Sequence, residues 1–213
     1  MFYEEITQLK EQSIDLIVSD LDGTLVKNIP LFYFKKGFFK HPFKNLTFLT
    51  TAFYQLLRFS YEQSCTFIDF KVNLFKTYVE HYSSLYEILD FVKNNKDKII
   101  LKDAQEFLNN FTNAKKILVT CDFKELAYLF KDDFQLDEIY ADLLDKREVT
   151  EKIMLKNYRS ALVLGDSKKD LELALALQKE GIEPILFLRT KRKLEDYVNH
   201  NLKHFYSFEE FKS

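Results

Sequence analysis

The sequence predicts an α/β fold: a doubly wound parallel sheet in a Rossmann-like core, interrupted by an inserted all-helical segment. Three observations carry this expectation. From about residue 98 onwards, apolar runs of strand length alternate with helical patterns, which is the order of a parallel sheet with helical crossovers. Between about 28 and 97 nothing alternates with period two, and apolar residues recur at helical spacing. Before both lies Ile14-Asp-Leu-Ile-Val-Ser-Asp-Leu-Asp-Gly-Thr-Leu25, a buried-strand pattern that ends in two carboxylates and a Gly-Thr turn.

Residues 3–12 are polar and read as a surface helix leading into a strand at 14–19. Ile14, Leu16, Ile17 and Val18 suit a central strand covered on both faces, because such strands are near-continuously hydrophobic. Asp20 then emerges at the strand's C-terminal edge, where open α/β sheets bind ligands, and Gly23 permits the tight turn that aims Asp20 and Asp22 at one point. Two carboxylates packed there repel and titrate upwards unless a cation shares the site, so the pair calls for a divalent metal.

In the following stretch Leu46, Leu49, Phe53, Leu56 and Leu57 fall at helical spacing. So do Phe67, Phe70, Leu74, Phe75 and Tyr78, and then Leu85, Ile88, Leu89 and Val92. Pro30 and Pro42 stand where helices begin or end, ahead of a longer helix at about 44–60. No acidic residue lies between Asp22 and Glu62, whereas Lys27, Lys35, Lys36, Lys40, Lys44 and Arg58 do, among dense Phe and Tyr. This patch reads either as a Phe-lined helical core with solvated lysines, or as a surface for a hydrophobic phosphate or an anionic membrane. Its uncharged run, Asn45 to Leu57, is shorter than the roughly 20 apolar residues of a membrane span.

Beyond it come a helix at Ala104–Phe111, a strand at Lys115–Thr120, a helix at 122–131 and a short strand at Glu138–Ala141. A helix at about 150–157 leads to the strand Ser160–Leu164. Gly165-Asp-Ser-Lys-Lys-Asp170 opens an Ala- and Leu-rich helix reaching Lys179, stopped by Gly181, and Pro184–Leu188 is a further strand. A helix at 191–199, a strand at 203–206 and a helical turn at Phe208–Phe211 complete the pattern.

At 213 residues the chain allows one α/β domain plus a modest insertion. With 31 basic against 33 acidic residues and a net charge of -2, it carries no overall nucleic-acid signature. Cys65 and Cys121 form no Cys-x-x-Cys, and the chain starts without a secretory pattern, so the expected setting is the cytoplasm and no disulfide is expected. His41, His81, His200 and His204 lack the paired spacing of a zinc site. The 22 Phe and 12 Tyr, against no Trp, are first of all core material.

Asp20, Thr120 and Asp166 each close an apolar strand, so the sheet gathers them at one edge. Thr120 precedes a helix start, where a hydroxyl and free N–H groups can hold a phosphate oxygen. Asp20, Asp166 and Asp170 with a backbone carbonyl make a hard-oxygen site suited to Mg2+. The order Asp-x-Asp, Thr, Lys, Gly-Asp-x-x-x-Asp resembles the four motifs of the haloacid dehalogenase-like (HAD) superfamily, over segments 12–27 and 98–213. The resemblance implies a catalytic core of 1–27 and 98–213 and a helical cap of 28–97, as in the phosphoserine phosphatase-like branch.

It further implies a Mg2+-dependent phosphatase acting on a small phosphorylated molecule through an aspartyl-phosphate. Asp20 would be the nucleophile and Asp22 the general acid/base. Leu21, Asp22, Thr120, Cys121 and Lys152 would hold the phosphate, and Asp20, the Asp22 carbonyl, Asp166 and Asp170 the metal, Asp170 in a supporting role. Lys146, Lys152 and Lys156 are all in range of the third motif, and Lys152 is favoured by its place at a helix start. A phosphomutase or phosphotransferase, or a non-catalytic binding protein using the aromatic, basic insert, are the alternatives.

Overall fold

A computed structural model describes residues 14–37, 50, 74–80, 84–154, 156, 158–189, 203–205 and 208. The helices expected at 3–12, 44–60 (Thr50 apart) and 191–199 lie outside these residues, as does most of the acid-free aromatic stretch. The chain divides into two compact units, Met1–Lys27 with Ile100–Ser213, and Asn28–Ile99.

In the larger unit the strand β1 (Leu16–Ser19) is buried along its whole length, as its unbroken apolar run requires. The second unit is helical in every element among its described residues. Its α1 (Ile29–Gly37) begins at Asn28, whose Oδ1 accepts the Leu31 N–H at 3.0 Å, with Pro30 in the first turn where no donor is missed. α2 (Leu85–Asn94) is capped by Ser84, whose hydroxyl accepts the Glu87 N–H at 3.1 Å, and it buries Ile88 and Val92. Residues 74–80 form a further helix. The Tyr33 ring meets Phe91 edge-on at 5.0 Å and Tyr78 at 6.0 Å, and Tyr33, Phe75, Tyr78 and Val79 are all buried. Among the described residues, then, the aromatics of this unit chiefly pack its interior; Tyr86 and Leu31 are exposed.

The larger unit continues with α3 (Lys102–Asn109), β2 (Lys115–Val119), α4 (Lys124–Tyr128), β3 (Glu138–Tyr140), α5 (Thr150–Met154), β4 (Ser160–Gly165), α6 (Lys168–Lys179), β5 (Glu183–Arg189) and β6 (Lys203–Phe205). All six strands are parallel, in the order β3-β2-β1-β4-β5-β6. Leu16 and Val18 of β1, Ile117 and Val119 of β2 and Ala161 and Val163 of β4 form one apolar cluster with Val149, Ile153, Leu173 and Leu177. Gly181 ends α6 with φ of 86°, a left-handed conformation that suits glycine.

The order also fixes where a ligand fits. From β1 the chain builds outwards to β2 and β3, then crosses back to β4 on the other side of β1. The switch point lies between the C-terminal ends of β1 and β4, the place where doubly wound sheets open a crevice. Asp20 and Asp166 are the residues that follow those two strands.

Candidate active site

The turn after β1 is built by backbone bonds that converge on Leu21. Its carbonyl accepts from the N–H of Leu25 at 2.9 Å and Val26 at 3.1 Å, and the Gly23 N–H returns to the Val26 carbonyl at 2.8 Å. Gly23 has φ of 82°, and a Cβ there would overlap the Asp166 carboxylate, so glycine is demanded twice. Asp20 is pinned to the neighbouring strand by its N–H, which donates to the Leu164 carbonyl at 2.9 Å. A Cβ on Gly165 would likewise collide with the Asp170 side chain. Both glycines thus let a carboxylate approach a strand end.

From behind, the turn is held by Arg189 at the end of β5. Its guanidinium donates to the Thr24 carbonyl at 3.2 Å and to Asp103 Oδ2 at 3.2 Å. The same Asp103 oxygen accepts the Phe208 N–H at 2.8 Å, and Asp103 Oδ1 accepts the Ala104 N–H at 2.9 Å. Nothing in the sequence pattern marked this network, because its members, Thr24, Asp103, Arg189 and Phe208, come from four distant segments.

The carboxylates of Asp20, Asp166 and Asp170 lie with their oxygens within 4.8 Å of one another. Asp20 and Asp170 are buried and Asp166 is exposed. The lysine that reaches them is Lys146, whose Nζ lies 2.7 Å from Asp20 Oδ1 and 2.6 Å from Asp170 Oδ1. Its side chain is 3% exposed. Burial pulls the Lys146 ammonium down, but Asp170 and Asp20 outweigh it and hold the group well above the ordinary lysine range.

The expectation that Lys152 stands here is corrected. Lys152 lies on the exposed side of α5 with its ammonium 5.2 Å from the Tyr140 ring centroid, and Lys156 pairs with Glu138. The reason is a helical start four residues earlier than expected. Asp145-Lys-Arg-Glu148 is a capping box: the Asp145 side chain accepts the Arg147 N–H at 2.9 Å, and Glu148 accepts the Asp145 N–H at 3.1 Å. Lys146 therefore opens a 3-10 turn, Lys146–Val149, and points its side chain at the sheet edge. That Asp-x-x-Glu spacing was the available signal.

Burial raises the Asp20 carboxyl well above its ordinary value, and Asp170, Asp166 and Asp122 push the same way against Lys146. A buried carboxyl crowded by acids that one lysine does not offset fits a further cation, and an all-carboxylate donor set fits Mg2+. Asp20 and Asp166 suit that role. Asp170 is already engaged: Oδ1 takes Lys146, while Oδ2 accepts from Ser167 Oγ at 2.6 Å, the Ser167 N–H at 3.0 Å and the Asp166 N–H at 3.2 Å. It positions the lysine and the start of α6.

Asp22 is half-buried within the turn, outside that carboxylate cluster. Thr120, 1% exposed at the end of β2, donates its hydroxyl to Asp122 Oδ2 at 2.9 Å and accepts the Asp122 N–H at 3.2 Å. Asp122 was not anticipated from sequence. Cys121 is buried beside Lys169, whose Nζ reaches its Sγ at 3.9 Å and the Leu144 carbonyl at 2.9 Å. Burial pushes the Cys121 thiol up, while Lys146 and Lys169 draw it down, so sulfur lies within the field of both lysines.

The fold is that of the HAD hydrolases. A HAD family hydrolase from Salmonella enterica subsp. enterica serovar Typhi superposes with a TM-score of 0.57 at 13% identity, over 96% of this chain and 76% of that one. A substrate-bound phosphoserine phosphatase matches at 0.54 and 16% identity, over 94% and 98%. DsGPDH of Dunaliella salina matches at 0.62 and 14% identity over 97% of this chain, which spans 37% of that protein. No family model and no curated protein matches the chain in sequence. The Asp20 turn, Thr120 and Asp166 thus occupy the C-terminal sheet edge of a HAD fold.

Proposed function

We propose that this chain is a Mg2+-dependent phosphatase that hydrolyses a phosphomonoester through an aspartyl-phosphate on Asp20. The observation that carries the reading is the contact of Lys146 with Asp20 at the β1/β4 switch point, with a second acid, Asp22, two residues on in a glycine turn. A buried carboxylate in contact with a fixed ammonium is an oriented nucleophile with its charge already partly balanced.

In this scheme an Asp20 oxygen attacks phosphorus in line, the phosphorus–oxygen ester bond breaks, and Asp22 gives its proton to the departing alkoxide. Asp22 then takes a proton from the water that attacks the acyl phosphate, which frees inorganic phosphate and restores Asp20. Lys146 offsets charge on the phosphoryl group, and Thr120 exchanges its bond to Asp122 for one to a phosphoryl oxygen. In the same reading Leu21, Asp22 and Cys121 would help to hold the phosphate. Asp20, Asp166 and the Asp22 carbonyl, with Asp170 in support, would hold Mg2+, which would supply electrostatic stabilisation of the phosphoryl oxygens.

The helices described within residues 28–97, between the first two motifs, support reading 28–97 as a cap inserted into a core of 1–27 and 98–213, in the manner of the phosphoserine phosphatase-like branch. The substrate class is a small phosphorylated molecule in the cytoplasm. No helix among the described residues is long and apolar enough to cross a membrane. Release of phosphate from p-nitrophenyl phosphate, with Mg2+ and after chelation, tests the proposal. Turnover that needs Mg2+ and disappears in Asp20→Asn is the expected result; turnover indifferent to both overturns it.

A further inference from the structure

Between β3 and the 3-10 turn that Lys146 opens, residues 141–145 run along the C-terminal edge of the sheet. The start of this segment is tied to the residues after β2: the Asp142 N–H donates to the Asp122 carbonyl at 2.8 Å, and the Leu143 N–H to the Thr120 carbonyl at 3.4 Å. Its end is the Asp145–Glu148 cap. Leu144, between the two, is 72% exposed, so packing of its side chain does not hold it. A bond from α6 reaches it instead: the Lys169 ammonium donates to the Leu144 carbonyl at 2.9 Å, a charge-assisted bond.

Lys169 and Asp170 are neighbours in the first turn of α6, which the reciprocal cap of Ser167 and Asp170 fixes in place. Asp170 Oδ1 takes the tip of the Lys146 side chain at 2.6 Å, while Lys169 takes the backbone two residues before Lys146. α6 thus holds the lysine at both ends. Both matter, because Lys146 carries its charge on a flexible stem and must meet Asp20 and Asp170 together. The Lys169 ammonium also lies 3.9 Å from Sγ of Cys121, the residue after Thr120. Its charge extends to the cap: Arg147 chiefly holds the Asp145 carboxyl below its usual value, and Lys169 adds to that pull.

We propose that Lys169 is a positioning residue of the site: by holding the Leu144 carbonyl it sets where the chain enters the 3-10 turn, so that the Lys146 ammonium reaches Asp20 and Asp170 at once. It acts through Lys146 and makes no contact with the substrate. This deepens the phosphatase reading and rests on it for the turnover measurements alone.

The test is a double-mutant cycle on the full chain with p-nitrophenyl phosphate and Mg2+. Lys169→Met should lower kcat by about tenfold, the worth of one hydrogen bond to a charged group, with KM within about twofold. Lys169→Arg keeps a donor and should restore most of the loss. In Lys146→Met, adding Lys169→Met should cost nothing further, because a residue that acts through Lys146 has nothing left to position. Losses that multiply, or a change confined to KM, would make Lys169 a substrate contact and overturn the proposal; so would an unchanged kcat. A second readout needs no turnover: low-temperature 1H–15N spectra of the ammonium groups, with Lys146→Met assigning the Lys146 signal. That signal should be protected from exchange in the parent and in Lys169→Arg, and broadened in Lys169→Met; a signal unaltered by Lys169→Met refutes the positioning role. A parent chain that releases no phosphate overturns the phosphatase reading instead, and the ammonium spectra then decide the role of Lys169 by themselves.

Discussion

Lys146 Nζ lies 2.7 Å from Asp20 Oδ1, and the lysine's other contact, Asp170 Oδ1, is at 2.6 Å. One buried ammonium thus serves the residue at the end of β1 and the first turn of α6 together. Removing one member of a buried pair strands the rest, at about 3–5 kcal/mol. Lys146→Ala is therefore expected to lower the unfolding free energy by several kcal/mol at most, and kcat on an aryl phosphate by about 10²-fold or more. Lys152→Ala loses an exposed contact to Tyr140 worth about 0.5–1 kcal/mol, and its kcat should stay within about twofold. Comparing both variants by turnover and denaturant titration checks the assignment.

Asp20→Asn keeps shape and removes the proposed nucleophile, so turnover should vanish while the fold persists. Asp22→Asn should separate substrates by leaving group. An alkyl phosphate needs its alkoxide protonated, and the loss there should reach about 10²-fold or more, whereas p-nitrophenyl phosphate should lose much less. Equal losses on both would remove Asp22 from the acid role.

The raised Asp20 carboxyl gives a pH dependence of definite sign. In the metal-free protein the folded state binds this proton more tightly than the unfolded chain does. Stability attributable to Asp20 is therefore greatest at low pH and falls as pH rises from the unfolded value of about 3.9 through the raised folded one. Mg2+ competes with that proton and should bind with proton release, more weakly at acid pH. Melting temperature against pH, with and without Mg2+ and in Asp20→Asn, measures this; the slope should flatten in the variant and on adding metal.

Asp103, 8% exposed, satisfies Arg189 and the N–H groups of Ala104 and Phe208. Asp103→Ala removes the acceptor of one guanidinium N–H and of two amides, and a loss of about 3 kcal/mol in unfolding free energy is expected. Asp103→Asn keeps one acceptor and should lose less. Chemical denaturation of the two variants gives the comparison.

The sequence alone determined the strands and their polar ends. The apolar run ending at Asp20, and those ending at Thr120 and Asp166, are local patterns of burial, and a parallel sheet places the ends of such runs at one edge whatever the rest of the chain does. For the same reason the helical character of Leu85 to Val92 and the turn at Gly23 were legible. What only the tertiary structure decided is which side chains reach that edge from outside the strands. Lys146, Lys152 and Lys156 lie within eleven positions of one another and have the same chemistry. The choice among them depends on where a 3-10 turn starts relative to the sheet, set by the Asp145–Glu148 cap and by the position of Asp170 across the site. Asp170 read as a supporting member of the metal site, and it does lie in the cluster with Asp20 and Asp166; that its oxygens also take Lys146 and the start of α6 was decided only in three dimensions. The Arg189–Asp103–Thr24 network joins residues far apart in the chain, and no local periodicity encodes a contact of that separation.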